Sequence, residues 1–440
     1  MMFDQKEYQK RRRNLMNQIG EDSVAIIPAA REVTRSRDTH FRFRQDSDFE
    51  YLTGFPEPDA VAVLLPGRPQ GEYIVFCRDK DRAREIWDGF REGPEGCIAN
   101  YCADDAFPID DIDDILPGLI EGRERIFFRI GKHQDFDHKL TQWLNHIRSQ
   151  SRTGASPPGE IVDPDHLLSE MRLIKTSAEQ KIMRRAAKIS ADAHCEAMRI
   201  CKPDMYEYEL QAIIEYHFAK NGASAPAYSS IVGAGANACV LHYIENQNKM
   251  AASDLVLIDA GCEYQGYAAD ITRTFPVSGK FSEEQKAIYE IVLEAQHAAI
   301  EACQVGQRFN EPHDASVRVI TQGLIDLGLL KGSLDELIES RAYVDFYMHR
   351  AGHWLGMDVH DVGEYKVDGS GSEWRELEPG MVTTIEPGIY IHADNEKVDP
   401  RWRGIGIRIE DDVLITKKGP EVMTASVPKT VAEIEALMQV

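Results

Sequence analysis

At 440 residues the chain exceeds what one compact core usually organises, so two domains are the natural expectation. A formal charge of -23 gives no positive footprint for phosphates, which argues against a nucleic-acid partner and fits a well-hydrated surface. No window approaches the roughly 18 apolar residues that span a bilayer, so no membrane partner is expected. The 8 cysteines are scattered without a C-x-x-C pair, the pattern of reduced, packed thiols in the cytoplasm rather than of a structural zinc site.

The N-terminal stretch MMFDQKEYQKRRRNLMNQIG carries a basic cluster, Arg11 to Arg13, but no apolar run. It is therefore not expected to act as a signal peptide, and its arginines are expected on the exposed face of a first helix. Residues 24–130 alternate strand-like runs (SVAIIPA, DAVAVLLPG, EYIVFC, RIFFRIG) with charge-rich helical stretches such as DKDRAREIWDGF. That alternation predicts an α/β domain with a central sheet. Trp87 in this stretch reads as a helix-packing residue, with reach toward a substrate groove or a neighbouring subunit as the alternative. After a helix-like FDHKLTQWLNHIRSQ, the segment SRTGASPPGEIVDP reads as a linker or exposed crossing. The predicted division is a smaller α/β domain over residues 1–172 and an α+β domain over 173–440.

The second domain opens with helices that carry their own start signals. Thr176 with Glu179, and Ser282 with Gln285, form capping boxes ahead of amphipathic runs. Tyr206 to Lys220 predicts a further helix ended by Asn221-Gly222, and His313 to Leu327 another. Leu255 to Phe275, LVLIDAGCEYQGYAADITRTF, predicts a strand-turn-strand in which Asp259 and Asp270 lie opposite one another. Two carboxylates that close repel unless a cation or proton sits between them; taken alone, one could be a turn residue and the other a solvated strand end. The chain returns to strands in MVTTIEPGIYI and GIGIRIEDDVLIT. The Gly-rich VGAGANA resembles a dinucleotide loop, but residues 237–243 read as a strand rather than a helix, which argues against that use.

Later segments supply what the aspartates need. FYMHRAGHWLGMDVHD places His349, His353 and His360 among glycines, and Glu386 and Glu410 fall inside apolar strand runs where an unpaired carboxylate is costly. Strand alternation sets Ile405, Ile407 and Ile409 on one face and Arg408 with Glu410 on the other. Singly, each has a plainer reading: a core histidine, or Glu410 paired to Arg408. Together, two Asp, two Glu and one His form an oxygen-rich set suited to Mn²⁺ or a similar hard divalent ion, and with bridging carboxylates able to hold two ions roughly 3.5–4 Å apart.

LVLIDAG…GYAADITRTF, HRAGHWLGMDVHD, TTIEPGIY and GIGIRIEDD, in this order, resemble the pita-bread metallopeptidase family of methionine aminopeptidase, prolidase, creatinase and aminopeptidase P. FRFRQDSDFEYLTGFPEPDAV and REIWDGFREG resemble the N-terminal domain of the bacterial aminopeptidase P branch, although some prolidases carry a similar stretch. Ala351 departs from the larger aliphatic or Thr more usual there. The resemblance implies a pita-bread catalytic domain and a metal-dependent exopeptidase that releases the residue ahead of a second-position proline, by attack of a hydroxide bridging two Mn²⁺. It implies that Asp259 binds one ion, that Asp270 and Glu410 bridge both, and that His353 and Glu386 hold the second. By the same likeness Glu386 also moves the proton of the hydroxide, and His242 stabilises the tetrahedral oxygen. His360 contacts substrate and assists proton transfer, His349 lines the proline pocket, and Arg408 links Glu410 to the wall. It further implies a peptide with an Xaa-Pro N-terminus as partner and a homodimer or homotetramer. The rival reading is a non-enzymatic binding module, which such relatives become by losing ligands; here every ligand position is filled.

Overall fold

The computed structural model describes residues 3–367 and 371–439. The chain divides into two compact units, one ending at Met171 and the other beginning at Arg172.

The first unit is built on a six-stranded mixed sheet, as the alternating pattern predicts. In spatial order its strands are Asp105–Pro108, Tyr73–Cys77, Val61–Leu64, Ser23–Pro28, Arg125–Phe127 and Glu160–Val162. The inner strands are near-continuous apolar runs because both faces are buried, with Leu116, Ile120, Leu140, Trp143 and Ile147 from helices in the same core. Three expectations are corrected here. The Pro/Gly-rich stretch after residue 150 is no bare linker, since Glu160–Val162 pairs in parallel with Arg125–Phe127. Arg11 and Arg12 are buried, donating to the Tyr51 and Leu52 carbonyls at 3.1 and 2.9 Å. Those carbonyls close the helix Ser47–Thr53, whose C-terminal end favours a cation, and Arg12 also lies 3.9 Å from the Tyr73 ring centre. Trp87 is not a buried packing residue: it is 85% exposed, beside exposed Ile86 and Phe90.

In the second unit the capping boxes start helices where predicted, at Ser177–Ile200 and Glu283–Ala302. Glu207–Lys220 and Glu311–Asp326 complete the helical set used below. Their apolar faces share one core with both groups of strands, through residues such as Ile189, Leu210, Val256, Ile288, Ile389 and Ile407.

The first strand group is antiparallel: Ile231–Ala234, Leu255–Asp259 and Thr272–Pro276. Its register sets Asp259 opposite Thr272, not opposite Asp270 as expected. The residues between leave the sheet as a small ribbon turned at Gln265 and Gly266, both with positive φ (48° and 70°). Gly261 permits this path, because a Cβ there would overlap the Ala269 carbonyl. The stretch after Ala234 is not a strand: Gly235–Cys239 is a 3₁₀ turn followed by a loop.

The second strand group explains where the glutamates sit. MVTTIEPGIYI breaks into Val382–Ile385 and Gly388–Ile391, and GIGIRIEDDVLIT into Ile405–Arg408 and Asp411–Thr416. Ile385 pairs with Asp411 and Gly388 with Arg408, so the ladder is interrupted at 386–387 and 409–410. Pro387 has no N–H to offer across the gap. Both glutamates occupy the interruption, where a side chain can leave the sheet.

Behind Glu410 lies a largely buried charge network, with Arg273, Asp411 and Gln296 fully enclosed. Arg273 donates to the Glu410 carbonyl at 2.6 Å and to Asp411 at 2.7 Å, while Gln296 (2.7 Å), Lys429 (2.8 Å) and Thr424 (2.6 Å) satisfy the rest of the Asp411 carboxylate. Asp411→Ala strands a buried guanidinium and is expected to cost on the order of 3–5 kcal/mol in urea denaturation. Burial opposes the Asp411 charge, but Arg273 and Lys429 hold its carboxyl well below the usual range. A depressed folded pKa stabilises above the unfolded value and is lost on acidification, so the gap between wild type and variant should narrow below about pH 4.

Candidate active site

Every candidate metal, catalytic and substrate residue named from the sequence (Asp259, Asp270, His353, Glu386, Glu410, His242, His360, His349 and Arg408) lines one cavity of about 540 Å³ in the second unit. Asp259 reaches it from the end of its strand, Asp270 from the exit of the ribbon, and Glu386 and Glu410 from the ladder gap. The histidines arrive on a segment without helix or strand. That segment is tied to Val382–Ile385 and its extension: Thr384 N–H donates to the His353 carbonyl at 2.9 Å, and Glu386 N–H to that of Ala351 at 2.8 Å. Gly352 makes the approach possible, since a Cβ would meet the Thr384 carbonyl. His353 and Glu386 are thereby brought to 3.8 Å.

His353 Nδ1 lies 3.0 Å from the Trp354 carbonyl, a contact that requires an N–H there and makes Nε2 the nitrogen that faces the carboxylates. Nε2 is 3.5 Å from Asp270 and 3.8 Å from Glu386. Asp270, His353 and Glu410 each offer one ligand atom, all within 4.8 Å of one another. Asp259 is held by the Arg408 guanidinium at 2.7 Å.

The electrostatics describe a site short of positive charge. Burial, then Asp270, raises the Glu410 carboxyl well above its usual range. Burial raises Asp259 against the pull of Arg408, and carries Glu386 up to about 7. Asp270 is lowered despite burial, because His353 bonds its carboxylate; burial disfavours the His353 charge, yet Asp270 and Glu386 bring it up to about 9. Four clustered carboxylates cannot all ionise in a buried space without added cations. A hard, oxygen-preferring divalent ion meets that need, and His353 Nε2, on giving up its proton to such an ion, completes the donor set.

Several contributors are silent in the sequence. Tyr228, in the unremarkable run PAYSS, places its hydroxyl 2.6 Å from Asp259 and 2.5 Å from Asp270. One phenolic hydrogen faces two acceptors there, and only folding reveals it. Thr272 donates to Glu410 at 2.7 Å and accepts from Arg408 Nε at 3.2 Å. Arg408 therefore reaches Glu410 through Thr272 and pairs with Asp259, which corrects the Arg408–Glu410 salt bridge considered from sequence. Tyr390 accepts from Arg408 at 2.9 Å and lies 2.8 Å from His349 Nε2. His349 Nδ1 is 2.8 Å from the Arg350 carbonyl, so Nε2 is the acceptor and Tyr390 the donor. Burial drops His349 to about 3, which keeps it neutral in this role. His360 stands edge-on to His353 with ring centres 4.3 Å apart, and His242, which is exposed, lines the same cavity.

Fold and donor set together define a metallopeptidase: the chain belongs to metallopeptidase family M24, whose profile matches residues 181–417, and the profile of the aminopeptidase P N-terminal domain matches residues 8–127. The chain is 46% identical over 437 residues to the Xaa-Pro aminopeptidase of Escherichia coli K12, covering 99% of this chain and 98% of that one. Among solved structures it resembles Pseudomonas aeruginosa aminopeptidase PepP at 60% identity and TM-score 0.98, covering 99% and 98% of the two chains. It resembles Zn-substituted E. coli aminopeptidase P in complex with product at 45% identity and TM-score 0.96, over the same shares. The two-domain, pita-bread layout expected from the motifs is the one these structures share.

Tyr228→Phe removes the hydroxyl that holds both aspartates while keeping the ring. It is expected to leave the thermal midpoint within a few degrees and to weaken binding of a divalent-cation probe roughly tenfold or more by calorimetric titration. Unchanged affinity would show that Tyr228 does not organise the aspartates.

Proposed function

We propose that the chain is a Xaa-Pro aminopeptidase that uses two Mn²⁺ or similar divalent ions to release the residue ahead of proline from peptide N-termini. The observation that supports this best is the convergence of four carboxylates and one imidazole on one cavity, in a chain similar along nearly its whole length to enzymes of that name. In this reading Asp259 would hold one ion, His353 and Glu386 the other, and Asp270 with Glu410 would serve both. When bound, the cations would supply Lewis acidity and lower the pKa of a water so that it attacks as hydroxide near neutral pH.

The chain's own residues do the rest. The carboxylate-lined floor receives the substrate's free α-ammonium. Glu386, beside the attacking water in this reading, takes its proton and passes it on. His242 donates to the oxygen that gains charge as the carbonyl becomes tetrahedral. His360 contacts the substrate and relays the proton to the departing proline nitrogen. His349, fixed by Tyr390, walls the space for the proline ring, whose nitrogen needs no acceptor because it carries no N–H. A cytoplasmic homodimer or homotetramer belongs to the same reading, and burial of Ile86, Trp87 and Phe90 between copies would suit it.

Xaa-Pro-Yaa tripeptides are expected to be cleaved with Mn²⁺ present and Xaa-Pro dipeptides poorly; cleavage confined to dipeptides would make the protein a prolidase. Chelation should abolish turnover and Mn²⁺ restore it. Asp259→Ala should lower kcat by on the order of 10³-fold or more, and wild-type turnover in that variant would remove the metal reading and favour a binding module.

A further inference from the structure

Glu207 opens the helix Glu207–Lys220 and is wholly buried. Its carboxylate accepts four hydrogen bonds, two on each oxygen. Oε1 takes Ala234 N–H at 2.8 Å and the Asn237 amide at 2.9 Å, and Oε2 takes the Tyr243 hydroxyl at 2.9 Å and Asn248 N–H at 2.8 Å. The four donors bracket one segment, residues 234–248, and His242 stands inside the bracket on the cavity wall. Among the described residues none hydrogen-bonds the His242 ring, so its backbone sets its position.

A second tie reinforces the first. Asn246, buried and in the left-handed region (φ 51°), accepts from Val232 N–H at 2.9 Å. Its amide donates to the Ser230 carbonyl at 2.8 Å and to Gln211 at 2.9 Å, on the same helix as Glu207. The loop that carries His242 is thus fastened to the helix Glu207–Lys220 and to the strand Ile231–Ala234.

We propose that Glu207 is a positioning residue for His242, a buried carboxylate that clamps both ends of segment 234–248 and fixes the imidazole against the peptide carbonyl. The proposal rests on the role given to His242 above. The site demands a carboxylate specifically. Each oxygen receives one backbone N–H, so a glutamine in either orientation turns its NH₂ against a backbone donor. A group that only stabilised the fold would not need to act through one side chain; a clamp on His242 must.

The test is a double-mutant cycle on an Xaa-Pro-Yaa tripeptide with saturating Mn²⁺: wild type, Glu207→Gln, His242→Ala and the double variant. Glu207→Gln is expected to lower kcat about ten- to a hundredfold while KM stays within about twofold and Mn²⁺ content is unchanged. In the His242→Ala background the same change is expected to lower kcat less than about twofold. Tyr243→Phe, which keeps the carboxylate and three donors, should show a smaller fall in kcat that also vanishes without His242, and it decides the matter if Glu207→Gln does not fold. An equal loss in both backgrounds, or wild-type kcat in Glu207→Gln, overturns the proposal while leaving the role of His242 intact. Wild-type turnover in His242→Ala overturns that role and the proposal with it.

Discussion

The site depends on one electrostatic constraint: four carboxylates drawn into a mostly buried cavity with too little positive charge of their own. Arg408 answers Asp259, and His353 partly answers Asp270. Glu386 and Glu410 are left raised by burial and by their neighbours. Such an arrangement persists in a folded chain only if something else balances it, and an oxygen-loving dication is the economical answer. The surrounding network supplies rigidity: Tyr228 spans the aspartates, Thr272 joins Glu410 to Arg408, and Arg273 with Asp411 anchors the backbone behind Glu410.

Two kinds of backbone irregularity put the acids in place. In the first strand group a ribbon leaves the sheet after Asp259 and returns at Asp270, with Gly261 permitting the close pass. In the second, a two-residue gap in the ladder frees Glu386 and Glu410 together. Regular strands would have directed these side chains by strict alternation; the interruptions decouple direction from register. The histidine segment needs no regular structure of its own, because it borrows hydrogen bonds from Val382–Ile385.

Much of this was legible in the sequence where local chemistry and global fold agree. The capping boxes at Thr176 and Ser282 start helices, the alternating first unit forms a mixed sheet, and the residues of the four motifs meet in one cavity. The misses share a cause: partners distant along the chain. Arg11 and Arg12 read as surface charges because the carbonyls that receive them lie 40 residues on. Residues 237–243 have strand-like composition, but Glu207 and Asn246 hold their neighbourhood in a turn and loop. Tyr228 stands in a run with no motif and Thr272 drew no role within its own, and their importance exists only once Asp259, Asp270 and Glu410 have converged.

The gap at 386–387 and 409–410 also makes the chain intolerant of length change. Both flanks of each glutamate are pinned by paired strand, so a single inserted or deleted residue has no slack to be absorbed into. A slip by one would present Ile385 or Pro387 in place of Glu386, turning a charged floor into a greasy one while leaving the sheet itself intact. Families built this way can vary freely in outer loops yet must inherit these strands letter-count for letter-count.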